Sequence, residues 1–167
     1  TQKGEGIPQA FHLPLRLELV LQDGTTKQVT LRVRERERTW AVPVDGPLRT
    51  VRVDPGFGVL AEVRLSAPRP WLEALLRDDC PVLGTRAATA LLQLATPKAV
   101  DAVVAALGDH PLHMVRGAIA GMLARRRGDR ARDALLGAFA TEEDPRVRRS
   151  LATALGSWRE PMVADAL

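Results

Sequence analysis

The chain has 167 residues, 46% of them hydrophobic, and its 24 Lys/Arg against 20 Asp/Glu give a net charge of +4. That is apolar material for one ordinary domain or two small ones, and it excludes a disordered composition. No apolar run approaches the roughly 18 residues needed to cross a bilayer.

The opening Thr1-Gln2-Lys3-Gly4-Glu5-Gly6 is polar and lacks a signal-peptide core, so a cytoplasmic location with no membrane partner is expected. With no initiator Met, and Leu167 ending inside an apparent helix, the chain reads as a piece of something longer.

Up to about residue 67 the side chains alternate with period two, the pattern of half-buried strands. Leu13, Leu15, Leu17, Leu19 and Leu21 fall on one face, and Asp23-Gly24 follows as a turn. Val29, Leu31 and Val33 face inward on the next strand. The charged run Arg34-Glu35-Arg36-Glu37-Arg38 then reads as a solvated hairpin end. Trp40, Val42 and Val44 predict a further strand, Val51 and Val53 another, and Val59–Leu65 a last one. Five or six short antiparallel strands predict a small β-sandwich over residues 1–67. Ala67-Pro68-Arg69-Pro70 reads as the hinge that ends it.

From Trp71 the period becomes 3.6. A short helix carries Trp71, Leu72, Leu75 and Leu76. The next has a stripe of Ala88, Leu91, Leu92 and Ala95. Val100, Val103, Val104 and Leu107 line a third, closed by Gly108. Val115, Ile119, Met122 and Leu123 line a fourth, Ala131, Ala134, Leu135 and Ala138 a fifth, and Val147, Leu151, Ala154, Leu155 and Trp158 a sixth. Another helix begins at Met162-Val163 and is cut short, leaving the last hairpin truncated.

These helices repeat. Asp109-His110-Pro111 with Val115-Arg116 matches Glu143-Asp144-Pro145 with Val147-Arg148, and Asp79-Cys80-Pro81 with Arg86 is a fainter copy. Arg86, Arg116 and Arg148 lie 30 and 32 residues apart, the length of a helical hairpin. The acid is expected to cap each helix and Pro to occupy its first turn. The fold class expected is therefore β + α in two segregated domains: a small antiparallel β-sandwich, then HEAT-like α-solenoid hairpins over residues 71–167.

No catalytic, cofactor-binding or metal-ligating set emerges. A zincin needs His-Glu-x-x-His, and His12, His110 and His113 do not supply it, reading instead as exposed loop histidines. Ser66, Ser150 and Ser157 have no His in phase, and Pro55-Gly56-Phe57-Gly58 lacks the Lys of a phosphate loop. Cys80 stands alone, so no internal disulfide forms. Residues 1–70 hold 11 basic and 8 acidic side chains, and residues 71–167 hold 13 and 12. The two signs interleave, so no nucleic-acid partner is expected. Three Lys among 24 basic residues, with no Asn or Tyr, suggest a GC-rich bacterial gene.

Thr1-Gln2, Phe11-His12-Leu13-Pro14-Leu15-Arg16-Leu17-Glu18-Leu19, Asp23-Gly24 and Trp40-Ala41-Val42-Pro43-Val44-Asp45-Gly46-Pro47 with Val51-Arg52-Val53-Asp54-Pro55 resemble the β-sandwich of zinc aminopeptidases of the aminopeptidase N family. An all-helical, HEAT-like domain follows the sandwich in that family too. The resemblance implies a non-catalytic C-terminal segment that supports and gates an upstream catalytic domain in peptide N-terminal hydrolysis. Zinc and its ligands would lie upstream, leaving no cofactor in this segment. The implied partners are that catalytic domain and the peptide substrate.

The alternative is a HEAT-repeat interaction scaffold of aminopeptidase-like but inactive architecture. A missing first strand would leave a sheet edge open to dimerisation of the isolated segment. Arg116 and Arg148 read either as a ladder bonding neighbouring turns or as a basic lining for a peptide carboxylate. The run Arg125-Arg126-Arg127 ends a helix, where the negative end of the dipole favours basic residues, and reads alternatively as a partner-binding patch through Arg125 and Arg126.

Overall fold

Alternating side chains favour pairing only where a partner strand and unobstructed backbone donors are available, and the N-terminal part shows both outcomes. The computed structural model of the chain describes residues 12–158. Its contacts divide into two compact units, Thr1–Arg64 and Leu65–Leu167.

In the first unit, β1 (Leu13–Leu21), β2 (Thr26–Val33) and β3 (Leu48–Val53) form an antiparallel sheet in the order β2-β1-β3. Gly24, at φ +88°, turns β1 into β2, and the Asp23 carboxylate accepts the Thr25 N–H at 2.8 Å. The expected apolar face is real: Leu13 pairs with Val33, Leu15 with Leu31 and Leu17 with Val29, while Leu19 pairs with Val51 across β3. Its outer part is only half-buried, whereas Leu19 and Leu21 are buried. On the opposite face Glu18 joins the three strands, accepting from Arg52 at 2.6 Å and Gln28 at 3.3 Å.

The described residues thus form one three-stranded sheet where five or six strands and two layers were expected. Trp40–Val44 carries no strand: Pro43 lacks a donor, and the ensuing Gly46-Pro47 is tied back through Gln22 N–H to Pro47 O at 3.0 Å. Trp40 and Val42 turn inward without a ladder. Residues 59–65 are also irregular. Asp54, buried and at φ +48°, accepts the N–H groups of Gly58 at 2.9 Å and Val59 at 3.1 Å. That closed loop consumes the donors that would have started the strand, and leaves Leu60 fully exposed.

The second unit contains α1 (Arg69–Leu76), α2 (Pro81–Leu94), α3 (Pro97–Asp109), α4 (His113–Arg126), α5 (Asp129–Thr141) and α6 (Pro145–Leu155). Neighbouring contacts put α1, α3 and α5 in one layer and α2, α4 and α6 in the other. Their shared core includes Leu76, Leu91, Leu107, Ile119, Leu135 and Leu151, all essentially solvent-free. Two glycines let the second layer close up. A Cβ on Gly84 would lie 3.2 Å from Leu76 O and 3.4 Å from a Val115 methyl, and one on Gly117 would lie 3.1 Å from Ser150 Oγ.

Several boundaries differ from expectation. Arg69-Pro70 is the first turn of α1 rather than hinge, a position where Pro loses no bond. Gly108 lies within α3, whose cap is His110. The buried stripe of α2 runs through Leu83, Ala87, Ala88 and Leu91, because Leu92 is half-buried and Ala95 is an exposed left-handed cap at φ +53°. Asp144 caps α6 as expected, accepting the Arg146 N–H at 2.9 Å, but no acid caps α2 or α4. The helix expected from Met162-Val163, the opening Thr1-Gln2 and Phe11 lie outside the described residues.

Candidate functional site

An Arg guanidinium can bridge several carbonyls and a carboxylate at once, so its partners decide whether it is structural or free for a ligand. Arg116, in the first turn of α4, donates from Nε to Glu142 Oε2 at 2.8 Å and from Nη2 to Oε1 at 3.0 Å. Its Nη1 donates to His110 O at 2.6 Å. The pair is largely buried, with side chains 14% and 9% exposed. Hydrogen bonds from Arg116, with a further one from Asp144 N–H, hold the Glu142 carboxyl below its ordinary range, outweighing the desolvation that pushes the other way.

Arg148 occupies the equivalent place in α6 and reaches the same turn. Its Nη1 donates to Phe139 O and Glu142 O, both at 3.1 Å, and its guanidinium lies 4.6 Å from the Phe139 ring centroid. Arg116 and Arg148 therefore converge on the α5–α6 turn. A peptide carboxylate reaching Arg116 would have to displace Glu142.

His110 is buried, not the exposed loop histidine expected, and 1% of it meets solvent. Leu112 N–H donates to Nδ1 at 3.1 Å, which puts the ring proton on Nε2, and Nε2 donates to Leu76 O at 2.9 Å. The imidazole thus occupies the place Asp144 has in the next repeat, and also ties the α3–α4 turn to the end of α1. Burial pushes its pKa below the ordinary value. His12 is exposed and His113 half-buried. Among the described residues no three His, Cys, Asp or Glu side chains are placed to hold a metal ion.

Arg125 and Arg126 lie at the other end of α4, roughly 15 Å from Arg116 at the helical rise per residue. The four singled-out arginines therefore form two separate sets. Arg126 Nη1 donates to Leu92 O at 3.0 Å, and Arg125 is exposed. Arg127, at φ +58°, donates to Ser157 O at 3.1 Å and lies 5.7 Å from the Trp158 ring centroid.

Between the α2–α3 and α4–α5 turns is a cleft of about 290 Å³ floored by Ala95, Pro97, Val100, Val104, Leu123 and Ala131, with Arg126, Arg127 and Arg130 at its mouth. Sequence reading found the three-Arg run but not the cleft. Val100, Val104 and Leu123 read as ordinary core stripe, and only packing shows that Val104 is left half-buried at the bottom of a cleft. A second cleft, of about 500 Å³, lies beside Arg116 and is lined by Glu142, Glu143 and Asp144. Two of these acids are matched, Glu142 by Arg116 and Asp144 by Arg146 at 2.7 Å.

Residues 60–167 match the family model described as HEAT repeats. No curated protein matches the chain. Among the described residues no helix is long and apolar enough to cross a membrane.

Proposed function

The chain belongs to the HEAT-repeat family, and from that premise we propose that its helical unit is a protein-interaction scaffold. The observation that carries this reading is the repeat match over residues 60–167. Stacked hairpins present a run of neighbouring helices and turns as one extended surface, which suits a polypeptide partner better than a small molecule. The clasped turns support it further, since Arg116 and His110 tie one hairpin to the next and Arg148 ties α6 to the turn before it, holding such a surface rigid. Selection of a random peptide library against the full chain, followed by calorimetry on the selected peptides, tests the reading. Recovery of a sequence class that binds saturably is the expected result. Failure of every selected peptide to bind the purified chain would remove the proposal.

A second reading is favoured by the β1 strand with its Leu13-Pro14-Leu15 run and by the half-exposed apolar sheet face. Here the chain is the non-catalytic C-terminal part of a zinc aminopeptidase of the aminopeptidase N family, and an added layer completes a β-sandwich on that face. Among the described residues no cluster of zinc ligands is placed together, and both ring nitrogens of His110 are engaged. In this reading zinc and catalysis reside upstream, the catalytic domain and peptide substrate are the partners, nucleic acid is not one, and the location is cytoplasmic. An intact His-Glu-x-x-His in the same gene upstream supports it. Zinc-dependent release of amino acids from arylamides by the purified chain alone would contradict it.

A further inference from the structure

We infer that the cleft between the α2–α3 and α4–α5 turns binds an acidic peptide segment, taking one large apolar side chain onto its floor and a neighbouring carboxylate at Arg126 and Arg127. The inference rests on the scaffold reading and names the chemistry of the partner.

Charge bookkeeping at the mouth gives the sign. Arg130 is paired with Asp101, and Arg132 is shared by Asp129 at 3.2 Å and Asp133 at 2.9 Å, so this group carries a net −1 against the +2 of Arg126 and Arg127 and the mouth stays net positive. Arg126 and Arg127 instead donate to the carbonyls of Leu92 and Ser157, which carry no net charge. Two positive charges therefore stand over an apolar floor without a carboxylate opposite either in these contacts.

Floor and volume give the rest. Half-buried Val104, exposed Ala95 and Pro97 and the edge of Val100 offer aliphatic contact, over buried Leu123 and Ala131. About 290 Å³ is at the bottom of the range for small-molecule sites and suits one or two side chains. No aromatic ring lines the cleft, so bases have nothing to stack on, and a nucleic acid is the poorer occupant.

The test is fluorescence polarisation with the full chain and a fluorescein-labelled probe, Ser-Gly-Glu-Asp-Leu-Phe-Asp-Glu-Gly-Ser. Its controls replace Leu-Phe by Ser-Ser, or every acid by Lys. Saturable binding of the probe is expected, weakened about tenfold or more in either control, the loss typical of a central contact. Val104→Phe, which fills the floor, and the double variant Arg126→Ala/Arg127→Ala should weaken it comparably, with circular dichroism reporting their fold. If a variant unfolds, the probe and its controls on the unaltered chain still decide. Absence of probe binding, equal binding of the Ser-Ser control, or full displacement by single-stranded oligothymidylate overturns the inference. If the probe fails while library-selected peptides of other composition bind, the cleft assignment falls and the scaffold reading stands.

Discussion

Arg116 and Glu142, twenty-six residues apart, share two hydrogen bonds of 2.8 and 3.0 Å in a largely buried fork that ties the first turn of α4 to the α5–α6 turn. Removing one partner strands the other charge away from water, so Arg116→Met is expected to cost about 3–5 kcal/mol. Glu142→Gln keeps the shape and part of the hydrogen bonding and should cost less. Urea unfolding of the full chain, with the slope held constant, measures both. A neutral Arg116→Met would show that the fork contributes nothing to the fold.

His110 makes a pH prediction. Its folded pKa lies below the unfolded value of 6.5 because burial disfavours the imidazolium, and the nearby Arg77 adds to this while Asp109 opposes it. Those two charges pair with each other at 2.7 Å. Below pH 6.5 the unfolded chain takes up a proton that the folded chain refuses. Stability should therefore fall as pH drops from 6.5 towards the folded pKa, by at most about 1.4 kcal/mol per pH unit. Glu142 works in the same sense but at lower pH, contributing stability above its ordinary 4.5 that is lost as pH falls below it. The His110 effect is thus isolated between pH 6.5 and 4.5. His110→Gln should flatten thermal midpoints across that window, and an unchanged slope would show that His110 is not its source.

Glycine substitutions should divide by what a Cβ meets. Gly137 in α5 has nothing within 4 Å, so Gly137→Ala is expected to stabilise by about 0.5–1 kcal/mol through helix propensity. Gly84→Ala meets the Leu76 carbonyl at 3.2 Å, a backbone atom that cannot swing away, and should destabilise. Gly117→Ala meets Ser150 Oγ and should be rescued by Ser150→Gly. Thermal denaturation of the four chains distinguishes them.

In the core, Leu151→Ala is expected to cost about 2–5 kcal/mol, as for a fully buried Leu. Leu92→Ala, half-buried, should cost roughly half as much. Equal losses would mean that Leu92 lies as deep in the core as the stripe Ala88, Leu91, Leu92 and Ala95 implies.

That pair shows where sequence reading succeeds and stops. The 3.6 period located all six described helices, and the Arg86, Arg116 and Arg148 spacing identified the hairpin, because both recur often enough to outweigh local accidents. It placed Ala88 and Leu91 of α2 correctly and misjudged only the edge of the stripe at Leu92 and Ala95, since Ala90, Leu91, Leu92 and Leu94 allow two overlapping stripes and only the neighbours choose. The strands expected at Trp40–Val44 and Val59–Leu65 failed for a different reason. Alternation reports which side chains turn inward, whereas a strand needs free backbone donors, and Pro43 and the Asp54 loop remove them. His110 was misread because it performs a cap that an acid performs in the next repeat. The cleft beside Arg126 was invisible because it is made by what packing leaves uncovered.

Because the long guanidiniums of Arg116 and Arg148 grip one and the same bend, the first from the preceding pair of coils and the second from within its own, a pair of coils carries both an accepting bend and a donating arm. Copying one such unit in the gene would copy both with it. Growth of the array by duplication then requires no new joint to be invented, only a final pair whose outward side tolerates water.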